Sequence, residues 1–258
     1  MIIRKSSREI DKMAAAGVVV AETLELLRTE ARPGVTTGDL DRLAERHIRR
    51  RGGIPTFKGF RGFPASICAS PNDMIVHGIP GAYTLVDGDI LTVDVGVTLK
   101  GFVADSAVTL AVGEIGADRR ALLLACQASL MAAIDACVPG NRLSDIGHAV
   151  QTTAEGAGFS VVRQLVGHGI GRSMHEDPQV PNYGPPGKGQ ELKEGMVFAI
   201  EPMITAGSWD IRVDDDEWSI YTTDGSMAAH FEHTVAVTAD GPRVLTRIDG
   251  KSVVDIEP

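Results

Sequence analysis

Apolar residues recur at helical spacing in four stretches of the chain and at alternating spacing between them, so the pattern reads as helix pair, strands, helix pair, strands. Residues 7–30 carry Ile10, Met13, Val18, Ala21, Leu24 and Leu27 behind a helix-starting Ser7, and Arg32-Pro33-Gly34 stops them. Thr37 can cap a second helix through Arg50, with Leu40, Leu43, Ala44, His47 and Ile48 facing inward. A Gly- and Phe-rich loop over 52–64 leads into strand sequence over 65–81, with a turn at Pro71-Asn72-Asp73. Residues 116–136 and 144–155 repeat the helix pair around Val138-Pro139-Gly140, and a strand at 159–162 follows.

Between the helix pairs, residues 92–113 set two carboxylates into apolar, β-branched sequence. Val93, Val95 and Val97 alternate with smaller or polar residues, and 104–112 reads as a second strand. A tight turn near Leu99-Lys100-Gly101 makes a hairpin in which Asp94 is expected directly opposite Asp105, with Cβ atoms roughly 5 Å apart. Like charges so placed repel, so a folded sheet keeps them only with a shared proton, cationic side chains or a metal. The plainer alternative makes one Asp a turn residue and sends the other to solvent.

The punctuation of the two halves also matches. At one constant offset Pro139-Gly140 repeats Pro33-Gly34, Asp145-Ile146 repeats Asp39-Leu40, and Gly158 repeats Gly52. Glu201 lies one residue past the counterpart of Asp94. Chance matching of helix ends competes with a decayed duplication, and the acidic residue in each half favours duplication. The expected organisation is one domain, 1–258, with halves of about 1–113 and 114–258.

Composition narrows the function classes. With 43% hydrophobic and 23% charged residues in 258, the chain can bury a sizeable core. A net charge of -9 argues against general nucleic-acid or anionic-membrane binding. The basic run 46–51 reads as the polar face and C-terminal end of a helix, with a docking patch as the lesser alternative. Cys68, Cys126 and Cys137 are odd in number and unpaired in spacing, which fits free thiols in a reducing compartment. Charges throughout the first 30 residues leave no signal peptide or membrane span, so a cytoplasmic location is expected.

The second half supplies further unusual placements. Residues 166–178 put His168 and His175 in a loop among Gly167, Gly169 and Gly171, which let a backbone approach something closely. Residues 194–203 end an apolar strand at Glu201-Pro202, and Glu232 is embedded in strand sequence over 230–238. A Glu in such surroundings is costly unless paired or ligated. Asp94, Asp105, Glu201 and Glu232 carry four negative charges, which two divalent ions would balance, and His168 adds a neutral nitrogen. Hard oxygen with one imidazole suits Mn, Fe, Co or Zn. Neither HExxH nor CxxC occurs, so single-zinc protease and zinc-finger readings have no support.

In combination these motifs resemble type I methionyl aminopeptidases from about Ile10 to Arg247. They are NxxxxHGIP at 72–80, DVG with an Asp eleven residues on, GHGIGxxxHEDP, EPM and FEHT. The resemblance implies an α+β pita-bread fold, a pseudo-twofold antiparallel sheet core covered by two helix pairs. It also implies that Asp94 ligates one of two divalent ions (Co, Mn, Fe or Zn), that His168 and Glu201 ligate the other, and that Asp105 and Glu232 bridge both. A metal-bridging hydroxide would then remove methionine from nascent chains with a small second residue. His77 would contact the scissile amide nitrogen, His175 the oxyanion, and Glu201 would shuttle the proton. Nascent N-termini at the ribosome are the implied partners, and a monomer is expected.

By the same resemblance the methionine pocket uses Phe57, Phe63, Cys68, His77, Met174 and Trp218. Phe57, Phe60 and Phe63 recur every three residues where relatives often place Cys and Tyr, and Met174 stands where an aromatic is frequent, so the pocket stays apolar but altered in detail; the plainer alternative is that these phenylalanines cover the core and Cys68 is a buried thiol. Phe60 is expected simply to cover the core. Two other functions compete with this one. An Xaa-Pro peptidase of the same fold would use the same ligands but usually carries an extra N-terminal domain; a metal-free recognition module would typically lack several ligands. The acidic run 214–217, with Trp209, reads as a solvated turn, a third metal site there being the remote alternative, and 242–258 carries no nameable chemistry.

Overall fold

A computed structural model describes residues 2–248; of the C-terminal segment, 249–258 lie outside the described residues. Four helices form where the spacing places them: α1 (Ser7–Glu30), α2 (Thr37–Arg50), α3 (Ala117–Ala136) and α4 (Leu143–Gly156). α1 starts at Ser7 as expected and the other three starts differ from the sequence reading by one residue; in α1, α2 and α4 a carboxylate one turn on selects the cap. Glu9 accepts from the backbone N–H and hydroxyl of Ser6. Thr36, not Thr37, caps α2, exchanging hydrogen bonds with Asp39 at 3.1 and 3.3 Å.

α1 packs across a long hairpin of Ile90–Leu99 and Phe102–Ala111, and α2 lies beside α1. α3 packs on α4 and on the strands Met203–Thr205 and Ala228–His230. Buried Leu24, Leu27, Val93, Val95, Leu122, Leu130, Phe198 and Phe231 join one apolar core spanning both helix pairs.

Every strand pairing among the described residues is antiparallel. One sheet holds the long hairpin, with Ile54–Pro55 and Cys68–Pro71 on the free edge of Ile90–Leu99. A five-stranded sheet runs Gly241–Val244, His233–Thr238, Val197–Ile200, Gly167–Gly169, Glu176–Val180. Two three-stranded sheets complete the fold, one with Met203–Thr205 at its centre and one with Ile220–Thr222. The run 214–217 is the connection between Ile211–Val213 and Ile220–Thr222, and its residues are exposed, as expected of a solvated turn.

The apolar strand ends at Glu201-Pro202, as expected, but the strand expected over 230–238 is broken: its backbone leaves the ladder at Phe231-Glu232. On either side the pairing resumes in one register, Ile200 with His233 and Met203 with His230. The result is a second ribbon kinked at both strands at the same level, its halves belonging to different sheets. Proline at 202 removes one ladder donor, and the Phe231 N–H donates to the Pro202 carbonyl at 3.3 Å across the kink.

Candidate active site

The first ribbon turns on Lys100-Gly101, both at positive φ, 51° and 80°. This turn is centred one residue later than the sequence suggested. It pairs Leu99 with Phe102, Asp94 with Ala107 and Gly96 with Asp105. Asp94 and Asp105 are therefore not directly opposite but diagonal neighbours on one face, close enough for each carboxyl to shift the pKa of the other. On the second ribbon the register, carried across the kink, brings Glu201 opposite Glu232.

The two ribbons meet edge to edge at the kink, where free backbone groups meet buried hydroxyls. Glu232 N–H donates to the Ala107 carbonyl at 2.9 Å, and Ser106 Oγ donates to the Glu232 carbonyl at 2.5 Å. His230 N–H donates to Thr109 Oγ1 at 2.9 Å, and Asp105 N–H to Thr234 Oγ1 at 2.9 Å. This seam faces Asp105 toward Glu232. His168 enters from Gly167–Gly169, a short strand rather than a loop, paired with Val197–Ile200. Its flanking glycines are required: a Cβ at Gly167 or Gly169 would run into the carbonyls of Ala199 or Asp177.

Donor atoms of Asp105, His168 and Glu232 lie within 4.8 Å of one another. Glu201 Oε1 is 3.5 Å from His168 Nε2. Burial raises the carboxyl pKa values, to about 7 for Asp94 and well above the usual range for the other three. The neighbouring acids raise Asp105, Glu201 and Glu232 further. Burial, and then His175, lowers His168 to about 4, leaving it neutral, and its Nδ1 lies 2.9 Å from the Gly169 carbonyl. That bond fixes the proton on Nδ1 and frees Nε2 as a donor toward a cation.

Asp94 Oδ1, Asp105 Oδ1 and Glu232 Oε1 are buried without a hydrogen-bond partner. Orphaned buried acceptors of one sign, beside an unprotonated imidazole nitrogen, fit divalent cations.

These groups open on a cavity of about 220 Å³. Every residue expected at the site borders it: Phe57, Phe63, Cys68, His77, Asp94, Asp105, His168, Met174, His175, Glu201, Trp218 and Glu232. The aromatic wall is built edge to face, Phe63 with Trp218 at 5.0 Å and with Phe57 at 6.5 Å between ring centroids. Burial pushes the Cys68 thiol up, reinforced by Asp94, which it faces in the sheet, so it serves as an apolar wall group.

His77 sits at φ 61°, in the left-handed region, just past the strand Met74–Val76. Its neighbour Gly78 hydrogen-bonds both Ala69 and Ser70, which holds the turn. Burial, then His175, lowers His77 to about 4. His175 is exposed and lies 4.3 Å from the His168 ring. Burial of its inner part and the nearby Arg61 lower its pKa. The loop that presents it is held by Glu176, which accepts from Lys5 Nζ at 2.8 Å and from the N–H groups of Arg172 and Ser173.

Sequence reasoning missed several wall residues. Phe60 does not merely cover the core: it borders the cavity and stacks on His175 at 5.4 Å. Arg61, Val76, Leu165, Val166 and Met203 also contribute. His230 is the most consequential omission, and its position two residues before Glu232 on an alternating strand was an available signal.

Comparison with known proteins agrees with this architecture. Residues 11–239 match the sequence profile of Peptidase_M24, metallopeptidase family M24, and the chain belongs to that family. Among its relatives are methionine aminopeptidases. "Methionine aminopeptidase 1" of Bacillus subtilis is 51% identical over 248 residues, covering 96% of this chain and all of that protein. The crystal structure of methionine aminopeptidase from Thermotoga maritima superposes with a TM-score of 0.95 at 43% identity, over 96% of this chain and all of that one. The prolidase from Pyrococcus furiosus shares the pita-bread fold alone, with a TM-score of 0.77 at 20% identity, over 96% of this chain and 66% of that one.

Proposed function

We propose that the chain is a metal-dependent aminopeptidase that removes N-terminal methionine from nascent proteins and peptides whose second residue is small. The observation that carries this reading is the convergence of four carboxylates and His168 on one apolar-walled cavity, with carboxylate oxygens left unpartnered. The likeness to methionine aminopeptidases over nearly the whole chain supports the same conclusion.

In this reading two divalent ions, of the Co, Mn, Fe or Zn kind, supply Lewis acidity and a water acidified toward neutrality. Asp94 would hold one, His168 and Glu201 the other, and Asp105 and Glu232 both. The protein's own groups do the rest. The wall of Phe57, Phe63, Cys68, Met174 and Trp218 takes the methionine side chain and excludes water. His175 donates a hydrogen bond to the carbonyl oxygen as negative charge develops there. His77 contacts the amide nitrogen, and Glu201 carries the proton to it as the peptide bond breaks. The carboxylate end of the cavity receives the free amine, which limits cleavage to a terminal residue.

We further infer that the chain works as one domain of two related halves, as a monomer in the cytoplasm, on nascent chains at the ribosome. Three unpaired buried cysteines suit a reducing compartment, and no helix among the described residues is long and apolar enough to cross a membrane.

The test is release of methionine from Met-Gly-Met, Met-Leu and Ala-Pro peptides by protein stripped of metal and reloaded with Mn, Co or Fe. Cleavage of Met-Gly-Met alone is expected. Equal cleavage of Met-Leu would remove the small-residue preference, Ala-Pro cleavage would point to an Xaa-Pro peptidase, and no activity with any ion would remove the enzyme reading.

A further inference from the structure

Within the cavity one side chain has no role in the scheme above. The His230 imidazole is 1% exposed, and neither of its nitrogens has a hydrogen-bond partner. Its Nε2 lies 4.0 Å from Glu201 Oε2 and 4.0 Å from Glu232 Oε2. Those separations are too long for a hydrogen bond. They match the spacing of atoms that share an ion, since ligands held at about 2.0–2.2 Å from one metal stand roughly 3–4 Å apart. His168 Nε2 approaches the other oxygen of the same Glu201 carboxylate, at 3.5 Å. An imidazole thus stands on each side of Glu201. The backbone leaves His230 little freedom to be elsewhere: its N–H donates to Thr109 Oγ1, and Thr109 Oγ1 donates to its carbonyl, both at 2.9 Å.

We propose that His230 is a further metal ligand, its Nε2 completing a two-imidazole set with His168 around the ion held by Glu201. This rests on the metal-centre reading given above. It has a chemical consequence. A second neutral nitrogen shifts that position from an oxygen-rich site open to hard Mn toward one favouring the borderline ions Co, Fe and Zn.

The experiment uses the full chain and compares wild type with His230→Ala and His230→Gln. Metal-free proteins are titrated with Co and with Mn by calorimetry, and X-ray absorption of the Co-loaded proteins counts imidazole ligands. If the wild type binds no divalent ion, the metal-centre reading itself fails. If it binds, the expected result is a loss of Co affinity of about 10-fold or more in both variants, a smaller loss for Mn, and one imidazole fewer in the absorption spectrum. Unchanged Co affinity and an unchanged imidazole count in the variants would overturn the role of His230 while leaving the metal centre standing. The circular-dichroism melt of each metal-free variant separates loss of binding from loss of fold; should Ala unfold, the polar Gln variant decides.

Discussion

The two ribbons bring acidic pairs to one point by different means. The first, Ile90–Leu99 with Phe102–Ala111, is an unbroken hairpin whose two-residue turn and alternation set its register locally, so Asp94 and Asp105 share a face by strand geometry alone. The second, 197–205 with 228–238, breaks at both strands, and Glu201 and Glu232 sit in the break. A regular ladder would satisfy every backbone group and leave no opening. The kink frees the groups at 232 to be taken up by Ala107 and Ser106 of the first ribbon, which docks the two carboxylate pairs together. The regular ribbon supplies rigidity, and the irregular one supplies the junction.

The comparison breaks most sharply at the carboxylates. Asp105→Asn and Glu232→Gln, one from each ribbon, should each cost ~10²-fold or more in metal affinity, with activity falling accordingly. Glu232→Gln should also raise the melting temperature of the metal-free protein, because the cost of burying that crowded carboxyl, as a charge or by taking up a proton, is removed. Calorimetric metal titration and a melt in chelator measure both, and a destabilised metal-free Glu232→Gln would contradict the picture.

Next in size, His175→Ala should lower kcat by ~10²-fold at unchanged metal content. His175 stands on neither ribbon and is not among the expected ligands, so loss of metal in that variant, read by elemental analysis, would show that its loop also holds the centre.

The regular ribbon can be probed alone. An added Cβ at Gly96, opposite Asp105, would lie 2.7 Å from the Phe57 ring. Gly96→Ala should therefore push Phe57 into the pocket and raise KM about 10-fold, with metal affinity unchanged.

The smallest effect is a pH dependence. Burial lifts the Asp94 carboxyl to about 7 from an ordinary 3.8, so the metal-free folded protein keeps a proton that the unfolded chain has released above about pH 4. That stability is complete below the unfolded value and is lost as pH rises through about 7. The metal-free melting temperature should be a few degrees lower at pH 8 than at pH 5, and excess Mn or Co should reverse the drop. A melt that rises with pH in chelator would contradict it.

How much could be read in advance varied with how local the cause was. The four helices came from apolar spacing and their stops, within one or two residues at each end. The turn at Lys100-Gly101 was misplaced by one because Lys100 at positive φ gives no signal that a glycine would. The strand end at Glu201-Pro202 is legible from the proline, whereas the break at Phe231-Glu232 is not, because Glu232 stands in otherwise convincing strand sequence. Ser106, Thr109 and Thr234 carry no local mark of their role, since their partners lie on another ribbon. Phe60 was assigned to the core because an apolar residue carries no mark of which surface it covers.

By itself, then, the chain's pattern determined the helix pairs, the first hairpin and the roster of acids and histidines, because each follows from periodicity or from the cost of a charge in apolar sequence. Only the tertiary structure decided that the acids face one another, that His168 stands in a strand, and that His230 stands beside Glu201. Those relations depend on hydrogen bonds between residues more than a hundred positions apart, such as Ser106 with Glu232, which no local pattern encodes.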